Sequence, residues 1–468
     1  MNISAIFRIL GGDGKDVYNG LRRLSKKQSV ENAIKQYDSK LHDVASPSKR
    51  PNKVIFVPNG QKDPITGEDI LIEDEASVSR VPVSFEQYII KQKAIFASGS
   101  DITLKPSIEK SDLFKHIERN WYDNKTDFVV YDLFRQVMAY THAAVIFYGE
   151  KDKETFDDFR YKMKIVSPET GDVLEPFFDE HRDLIAFGRE YKVEDKTRYD
   201  FYIIGESGFV EIRRFENGLI INYDIESAEP SEVFVTTYTK LPIVYISQDV
   251  AECDVTEEMI GEFEESFNDF CTQMGYSGEA ILFGKGNALS LPAKGQAGKY
   301  MEGSADSDLK YVQADSQHES RGFQFDLMQK FIFGLNRAVF LDIEAMKGMG
   351  DVSGETLKRM LTDCYLEATS KQKGYLGMGV QRMANWLTHT WRELSGGDKS
   401  LRVYVEFHEI NLNSESDKVT LAMKANGGLP VMTHQRSISY AGMEEDSDKA
   451  LKEINSQSKA QDAPVPVE

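Results

Sequence analysis

Carboxylates crowd the segment Thr256–Met274 (TEEMIGEFEESFNDFCTQM): Glu257, Glu258, Glu262, Glu264, Glu265 and Asp269, with no lysine or arginine among them. Such a density could serve two chemistries. Converging carboxylates hold metal ions for phosphodiester cleavage, whereas carboxylates spread around a helix create a negative field that phosphates avoid. The spacing favours the second. Ile260, Phe263, Phe267, Phe270, Cys271 and Met274 recur at i, i+3 and i+4 and form one apolar stripe, which leaves the acids on the remaining faces instead of at one point. Thr256 is a suitable N-terminal cap, and acids in the first turn suit the helix dipole. Without counter-charges the six acids repel one another and weaken the helix.

Other chemistry-bearing residues do not assemble into a recognisable centre. GKGN at Gly284–Asn287 and GGDGK at Gly11–Lys15 look like phosphate cradles. A nucleotide-binding loop needs GxxxxGK[ST] between a strand and a helix, and neither segment has both halves, so ATP hydrolysis is not expected. Cys253, Cys271 and Cys364 are odd in number and have no CxxC spacing, which points to a reducing compartment without disulfides. The eight histidines are scattered away from any cysteine pair, so no zinc site is expected. His408, in the alternating run Val403–Glu409, reads as a strand residue. The expectation is a protein with no catalytic group, no metal and no cofactor.

The elements that carry these residues follow from composition and periodicity. With 468 residues, 41% hydrophobic and 11% aromatic, the chain can build real cores and exceeds one ordinary domain. Its net charge of −20 (56 basic against 76 acidic residues) argues against a surface that grips nucleic acid throughout, which needs clustered Lys and Arg. It is compatible with DNA sliding past an acidic wall, and also with solubility alone. No apolar run is long enough to span a membrane. Met1–Leu10 lacks the basic head and cleavage site of a signal peptide and reads as a short helix or arm. A polar helix is expected around Ser29–Leu41, a strand at Val54–Val57, and a loop or hairpin over Pro58–Glu75. Val83–Ala97 reads as a helix stopped by Gly99, followed by a strand at Asp101–Lys105. Helices at Leu113–Asp123 and Asp127–Tyr140 then lead to an apolar strand at Ala143–Tyr148. From Tyr161 to Thr239 the period switches to two, the mark of a β-rich part. The fold class is therefore α+β.

After the acidic helix, Gly278–Asp315 reads as two strands, Ala280–Phe283 and Leu309–Gln313, around a Gly- and Lys-rich loop. A second amphipathic helix, Ser320–Phe340, carries Phe323, Leu327, Phe331, Leu335 and Val339 toward one side, with Arg321, Lys330 and Arg337 along its length. It would be roughly 30 Å long. Asp342–Gly354 (DIEAMKGMGDVSG) has no helical stripe and reads as a loop in which Lys347, between Met346 and Met349, could touch a moving ligand. Ser353 then caps a helix of ~60 Å over Gly354–Leu394, with a bend expected at Gly374, Gly377 and Gly379. A strand at Leu401–His408, a helix near Glu415–Ala425 and a weak helical tail over Thr433–Asn455 complete the chain. The final stretch has a disorder-type composition.

Several segments resemble the portal proteins of long-tailed bacteriophages, and together they span nearly the whole chain. VPVSFEQYIIKQKAIFASGSDITLKP looks like the N-terminal helix of that family with its Gly and short strand. NKTDFVVYDLFRQVMAYTHAAVIFYGE resembles the helix and strand that follow, and MKIVSPETGDVLEPFFDEHRDLIAFGREY its β-stretch. LPIVYI at Leu241–Ile246 resembles the entry to its stem, and DVSGETLK at Asp351–Lys358 the start of its spine helix.

The resemblance implies a portal fold: a mixed wing over 1–255, stem helices at 256–274 and 320–340, and a small β-containing clip at 275–319. A tunnel loop would occupy 341–353, a spine helix 354–394, a wing strand and helix 395–432, and a short helical crown with a disordered tail 433–468. It implies a homo-oligomeric ring, twelvefold in virions, at one capsid vertex and assembled in the host cytoplasm. Double-stranded DNA would pass through it during packaging and ejection. The terminase large subunit, a head–tail adaptor, the major capsid protein and the scaffolding protein would be its partners. By position, Met346, Lys347, Met349 and Asp351 would line the tunnel. Glu257, Glu258, Glu262, Glu265, Asp269, Arg321, Lys330 and Arg337 would lie on the channel wall, and Lys285, Asn287, Lys294 and Lys299 would meet partners at the clip. The reduced C-terminal crown departs from longer relatives. Two other readings compete: another virion structural protein, such as a head–tail connector or minor capsid protein, and a nuclease or NTP-driven motor.

Overall fold

Helices α1 (Ile3–Leu10) and α2 (Gly14–Leu24) open the chain and are followed by α3 (Glu31–Tyr37). The helix expected around Ser29–Leu41 is shorter because Asp38 turns extended and its carboxylate accepts from the Lys40 backbone N–H at 3.1 Å. Two 3-10 turns, Ser39–Leu41 and Asp43–Ala45, take its place. Strands β1 (Lys53–Lys62) and β2 (Asp69–Ala76) form an antiparallel ribbon that, among the described residues, pairs with no other strand. Helix α4 (Phe85–Ser98) ends at Gly99, whose φ of 77° suits glycine. It leads to β3 (Ile102–Pro106), α5 (Asp112–Asp123), α6 (Thr126–Tyr140) and β4 (His142–Gly149).

The β-rich stretch contains β5 (Tyr161–Val166), β6 (Val173–Phe178), β7 (Leu184–Val193), β8 (Lys196–Ile204), β9 (Val210–Glu216), β10 (Leu219–Ile221) and β11 (Phe234–Val235). After it come β12 (Ile243–Ser247), α7 (Glu257–Ser277), β13 (Ile281–Lys285), β14 (Asp308–Val312) and α8 (His318–Leu335). The last elements are α9 (Thr362–Lys373), α10 (Tyr375–Ser395), β15 (Val403–Phe407), α11 (Glu415–Asn426) and α12 (His434–Ala441). Helix and sheet are thus mixed, as the sequence patterns require. The computed structural model describes residues 3–12, 14–24, 30–62, 64–67, 69–108, 111–150, 159–221, 233–277, 281–285, 308–312, 318–340, 358–397, 399–410, 415–426, 433–441 and 450–454. The expected disorder-type tail and the start of the expected long helix lie outside the described residues.

Packing explains the sequence periods. Antiparallel strands run β10-β9-β8-β7-β6, with β11 on β9, and a second sheet runs β12-β4-β5. The run HAAVIF of β4 is apolar without alternation because both of its faces are covered. Ala144 and Ile146 meet Phe187, Val210 and Tyr202 of the larger sheet. Ala143, Val145 and Phe147 turn toward the helices α4, α5, α6 and α10. The other face of the larger sheet is covered by α1 and α2, through Ile6 and Leu21 against Phe177, Phe201 and Phe215. Trp386 of α10 stacks on Phe147 with ring centroids 4.3 Å apart. Strand β15 reaches back over about three hundred residues of sequence to pair with β3, Val403 opposite Pro106 and Phe407 opposite Ile102.

The helix expected over 354–394 turns at Leu361 and, beyond that turn, is two helices. Gly374 separates them with ψ −142°, the bend that the glycines signalled. Gly379 serves a different purpose. A Cβ there would sit 2.1 Å from Cδ1 of Ile246 on β12, so the helix approaches the sheet only without a side chain. Overpacking of this kind costs about 1–3 kcal/mol. Gly379→Ala is expected to lose that much in a denaturant melt; an unchanged midpoint would show that the contact relaxes freely.

Candidate functional site

The acidic helix acquires its shape from α8. Phe325 of α8 is set edge-on among Phe263, Phe267 and Phe270 of α7, with centroid separations of 5.4, 6.0 and 5.9 Å. Phe85 of α4 joins from the other side, 5.0 Å from Phe263 and 5.6 Å from Phe333. At the base of the pair, Asn336 donates from Nδ2 to Thr256 Oγ1 at 2.7 Å. Thr256 therefore fixes the start of one helix to the end of the other. Beyond this pair, β13 and β14 form a hairpin with Ile281 opposite Val312.

Helix α8 differs from expectation in two respects. It ends at Leu335, not near Phe340. Arg337 adopts φ 51°, its N–H bonds to Gly334 O at 3.1 Å and the Ala338 N–H bonds to Phe333 O at 2.9 Å. That is a Schellman stop with arginine in the position usually held by glycine. The second difference concerns its faces. The stripe Phe323, Leu327, Phe331 and Leu335 is not the packed side: these residues are 70, 41, 51 and 55% exposed. Phe325, Met328, Ile332 and Phe333 pack instead. Helix α8 is apolar on both sides, and among the described residues one side is packed and the other is left exposed.

The carboxylates of α7 divide likewise into two sets. Glu258, Glu262 and Glu265 are exposed on one face, and among the described residues none has a cation within ion-pair distance. The expectation of six carboxylates without counter-charge does not hold for Asp269 and Glu264, while Glu257 gains a neutral donor. Glu257 accepts from Asn32 Nδ2 at 3.0 Å and Asp269 from Arg50 at 2.6 Å. Glu264 is buried, and its Oε1 accepts from the Val83 N–H at 2.6 Å and lies 2.8 Å from His42 Nδ1. The partners come from residues more than 180 positions away, which no local pattern could indicate. Leu41, His42 and Asp43, set in tight turns, carry no sequence signal of such a role.

His42 is a buried imidazolium. Its Nδ1 faces a carboxylate and its Nε2 faces Gln36 O at 2.9 Å, so both nitrogens meet acceptors. Burial pulls its pKa down, but the hydrogen bonds to Glu264 and Gln36 outweigh it and raise the pKa to about 9. Glu86, in the same cleft, is pushed up to about 7 by burial, and its Oε2 has no hydrogen-bond partner among the described residues. Both pKa values lie above the ordinary values of 6.5 for a histidine and 4.5 for a glutamate. A raised folded pKa means that the folded state holds its proton longer, so stability falls as pH climbs through the window between the two values. The His42 contribution is complete below pH 6.5 and is lost toward pH 9. The melting temperature is expected to drop between those limits, and His42→Gln to flatten that drop. An identical slope in the variant would remove His42 from this role.

The other residues singled out in the sequence are scattered. Arg321 and Lys330 lie on α8, half-buried and exposed respectively. Arg337 lies beyond the helix end and pairs with Glu367 at 3.1 Å, so it is not a free wall cation. Lys285 ends β13. Met346, Lys347, Met349, Asp351, Asn287, Lys294 and Lys299 fall outside the described residues. Among the described residues no group of His, Cys, Asp and Glu is arranged to hold a metal ion, and no helix is long and apolar enough to cross a membrane.

Comparison with known proteins adds a family. A model of "Phage portal protein, SPP1 Gp6-like" matches residues 22–463. No curated protein matches the chain. Among solved structures, a chain from "Virion of native gene transfer agent (GTA) particle" is similar over 76% of this chain and 89% of that chain, at 9% identity and a TM-score of 0.36.

Proposed function

The chain belongs to the SPP1 Gp6-like family of phage portal proteins and is a portal-type component of a virion, and on that premise we propose that it assembles into a ring around an open axis through which double-stranded DNA passes. The observation that carries this reading is the two-faced helix α8. Phe323, Leu327, Phe331 and Leu335 form an apolar row that the subunit leaves exposed. Contiguous apolar surface of this kind marks contact with another molecule. A second copy placed side by side would cover it in every subunit of a closed ring. The β1–β2 ribbon makes the same demand. Val54, Phe56 and Leu71 are exposed on it, and an isolated two-stranded ribbon is marginal in water without further packing.

In such a ring the exposed row Glu258, Glu262 and Glu265 repeats with every subunit. A wall of repeated carboxylates repels phosphates and lets DNA slide without sticking. Sparse cations on the helix pair and tunnel loop, Arg321, Lys330 and Lys347, would offer transient contacts. The chain performs no catalysis in this reading, and the motor ATPase is a separate protein. The segment 275–319, of which the β13–β14 hairpin is the described part, would dock the terminase large subunit and later the head–tail adaptor. The major capsid and scaffolding proteins would surround the wing, and assembly would take place in the host cytoplasm.

The test removes the clip loop. Deleting 284–304 is expected to abolish binding of the terminase large subunit while leaving the melting transition of the body unchanged. Full binding by the deletion variant would overturn the assignment of this segment.

A further inference from the structure

A cleft of ≈ 720 Å³ lies between α10 and the chain entering β15. Its chemistry is opposite to that of α7. Lys240, Arg392, Lys399 and Arg402 line it, and Arg382 is close enough to Lys240 to act on its charge. The helix supplies its side of the cleft by periodicity, since Gln381, Asn385, Thr388, His389 and Arg392 fall on one face.

Among the described residues, Lys240, Arg382, Lys399 and Arg402 have no carboxylate within ion-pair distance. Glu393, a nearby carboxylate, accepts through Oε1 from Thr239 Oγ1 at 2.6 Å and lies 3.3 Å from His389 Nε2 through the same oxygen. Arg392 donates from one terminal nitrogen to Leu401 O at 2.8 Å, and its buried Nε has no partner among the described residues. The packing around Lys240 and the neighbouring guanidinium of Arg382 pull the Lys240 pKa down. Like charges gathered in a cleft without compensation cost stability. In a chain of net charge −20 they point to an anion that binds there.

We propose that this cleft binds the phosphodiester backbone of a nucleic acid. Two features favour a polyphosphate chain over an acidic protein segment. The aliphatic residues of the lining, Leu401 and Val403, are buried, while Tyr404 is exposed in it and gives a ring on which a nucleic-acid base can stack. Its polar side chains are the amide, hydroxyl and guanidinium donors that phosphate oxygens accept from, and a guanidinium matches phosphate geometry with two parallel N–H groups. The proposal rests on the reading that DNA is the polymer this protein handles, and it adds a place on the body, away from the α7–α8 pair in sequence, where that polymer would be held and not repelled.

The experiment measures binding of a labelled duplex of about 30 base pairs to the full-length protein by fluorescence anisotropy across a salt series, with electron micrographs of the same samples. The variant Arg382→Gln/Lys399→Gln/Arg402→Gln is expected to bind at least tenfold more weakly. Its log-affinity against log-salt slope should be shallower by about 2–3, the change for three lost phosphate contacts. A charge-matched control at exposed lysines away from the cleft and the ribbon, Lys91→Gln/Lys164→Gln/Lys192→Gln, should bind like the parent. No duplex binding by the parent, or equal binding by the cleft variant, would overturn the proposal. So would displacement of the duplex by polyglutamate at concentrations where inorganic polyphosphate has no effect, since that result assigns the cleft to an acidic protein. Rings with unaltered duplex affinity in the variant would end the cleft assignment alone. The absence of rings from the parent would end the portal reading, with the cleft still judged on duplex affinity.

Discussion

Glu252→Gln is expected to destabilise the subunit by about 3–5 kcal/mol, the cost of leaving buried charges unpaired. Glu252 lies in the turn between β12 and α7. Lys93 of α4 reaches it at 2.8 Å, and Lys371 of α9 contacts its other carboxylate oxygen. All three side chains are largely removed from water. Burial pushes the carboxyl pKa up, but the two ammonium groups outweigh that and hold it below its usual value. Neutralising Glu252 leaves Lys93 buried without a counter-charge and Lys371 with Glu367 alone at 3.4 Å, whereas Lys93→Met in the same chain removes the stranded ammonium group. The double variant should therefore recover part of the loss. Urea melts of the parent, the single and the double variant test this, and additive losses would contradict the coupling. Tyr375 bonds to Gln248 beside this group, so the same network ties the root of α7 to the break at Gly374. Its loosening would reach the helix pair and the sheet together.

The second large effect concerns assembly. Phe323→Glu with Phe331→Glu is expected to abolish rings and leave a folded subunit. Both phenyl rings are more than half exposed within the subunit, so replacing them costs little intrachain packing. In a ring each would be buried against the next copy. Burying such a side chain contributes about 1.5–3 kcal/mol, and every contact around the circle repeats that term. A carboxylate in the same place must be desolvated, which adds further cost. Sedimentation of the variant should show subunits with an unaltered circular dichroism spectrum. Intact rings from the variant would show that this face is not the contact. Phe325→Glu is the instructive contrast: its ring lies among Phe263, Phe267 and Phe270, so this change should unfold the helix pair itself.

How much of this was legible beforehand depended on whether the determining contacts were local. The stops at Gly99 and Gly374, the switch to period two after Tyr161 and the unbroken apolar run of β4 all follow from a few neighbouring residues. The apolar stripe of α7 was equally plain, because one face of that helix is polar. The stripe of α8 did not reveal the packed face for the opposite reason. Phenylalanines at 323, 325, 331 and 333 make both faces apolar, and periodicity cannot say which face meets its own subunit and which is left for another. The stop at Arg337 was hidden because arginine occupies a position where glycine is the usual signal. The partners of the acidic helix, Asn32, His42 and Arg50, were hidden by distance along the chain. Nothing near Glu264 announces that a turn near residue 42 will supply its counter-charge. The basic cleft was missed because its cations come from a helix and two loops, before β12 and before β15, that the fold brings together.

The central claim is that α7 and α8 stand side by side with copies of themselves around an empty axis. Electron microscopy of the purified full-length protein tests it most directly. The account predicts closed rings with a central opening and, at sufficient detail, Glu258, Glu262 and Glu265 facing that opening while Phe323 and Phe331 are covered by the adjacent subunit. A particle without a pore, or one in which the helix pair folds onto its own subunit and those phenylalanines stay in solvent, would contradict it.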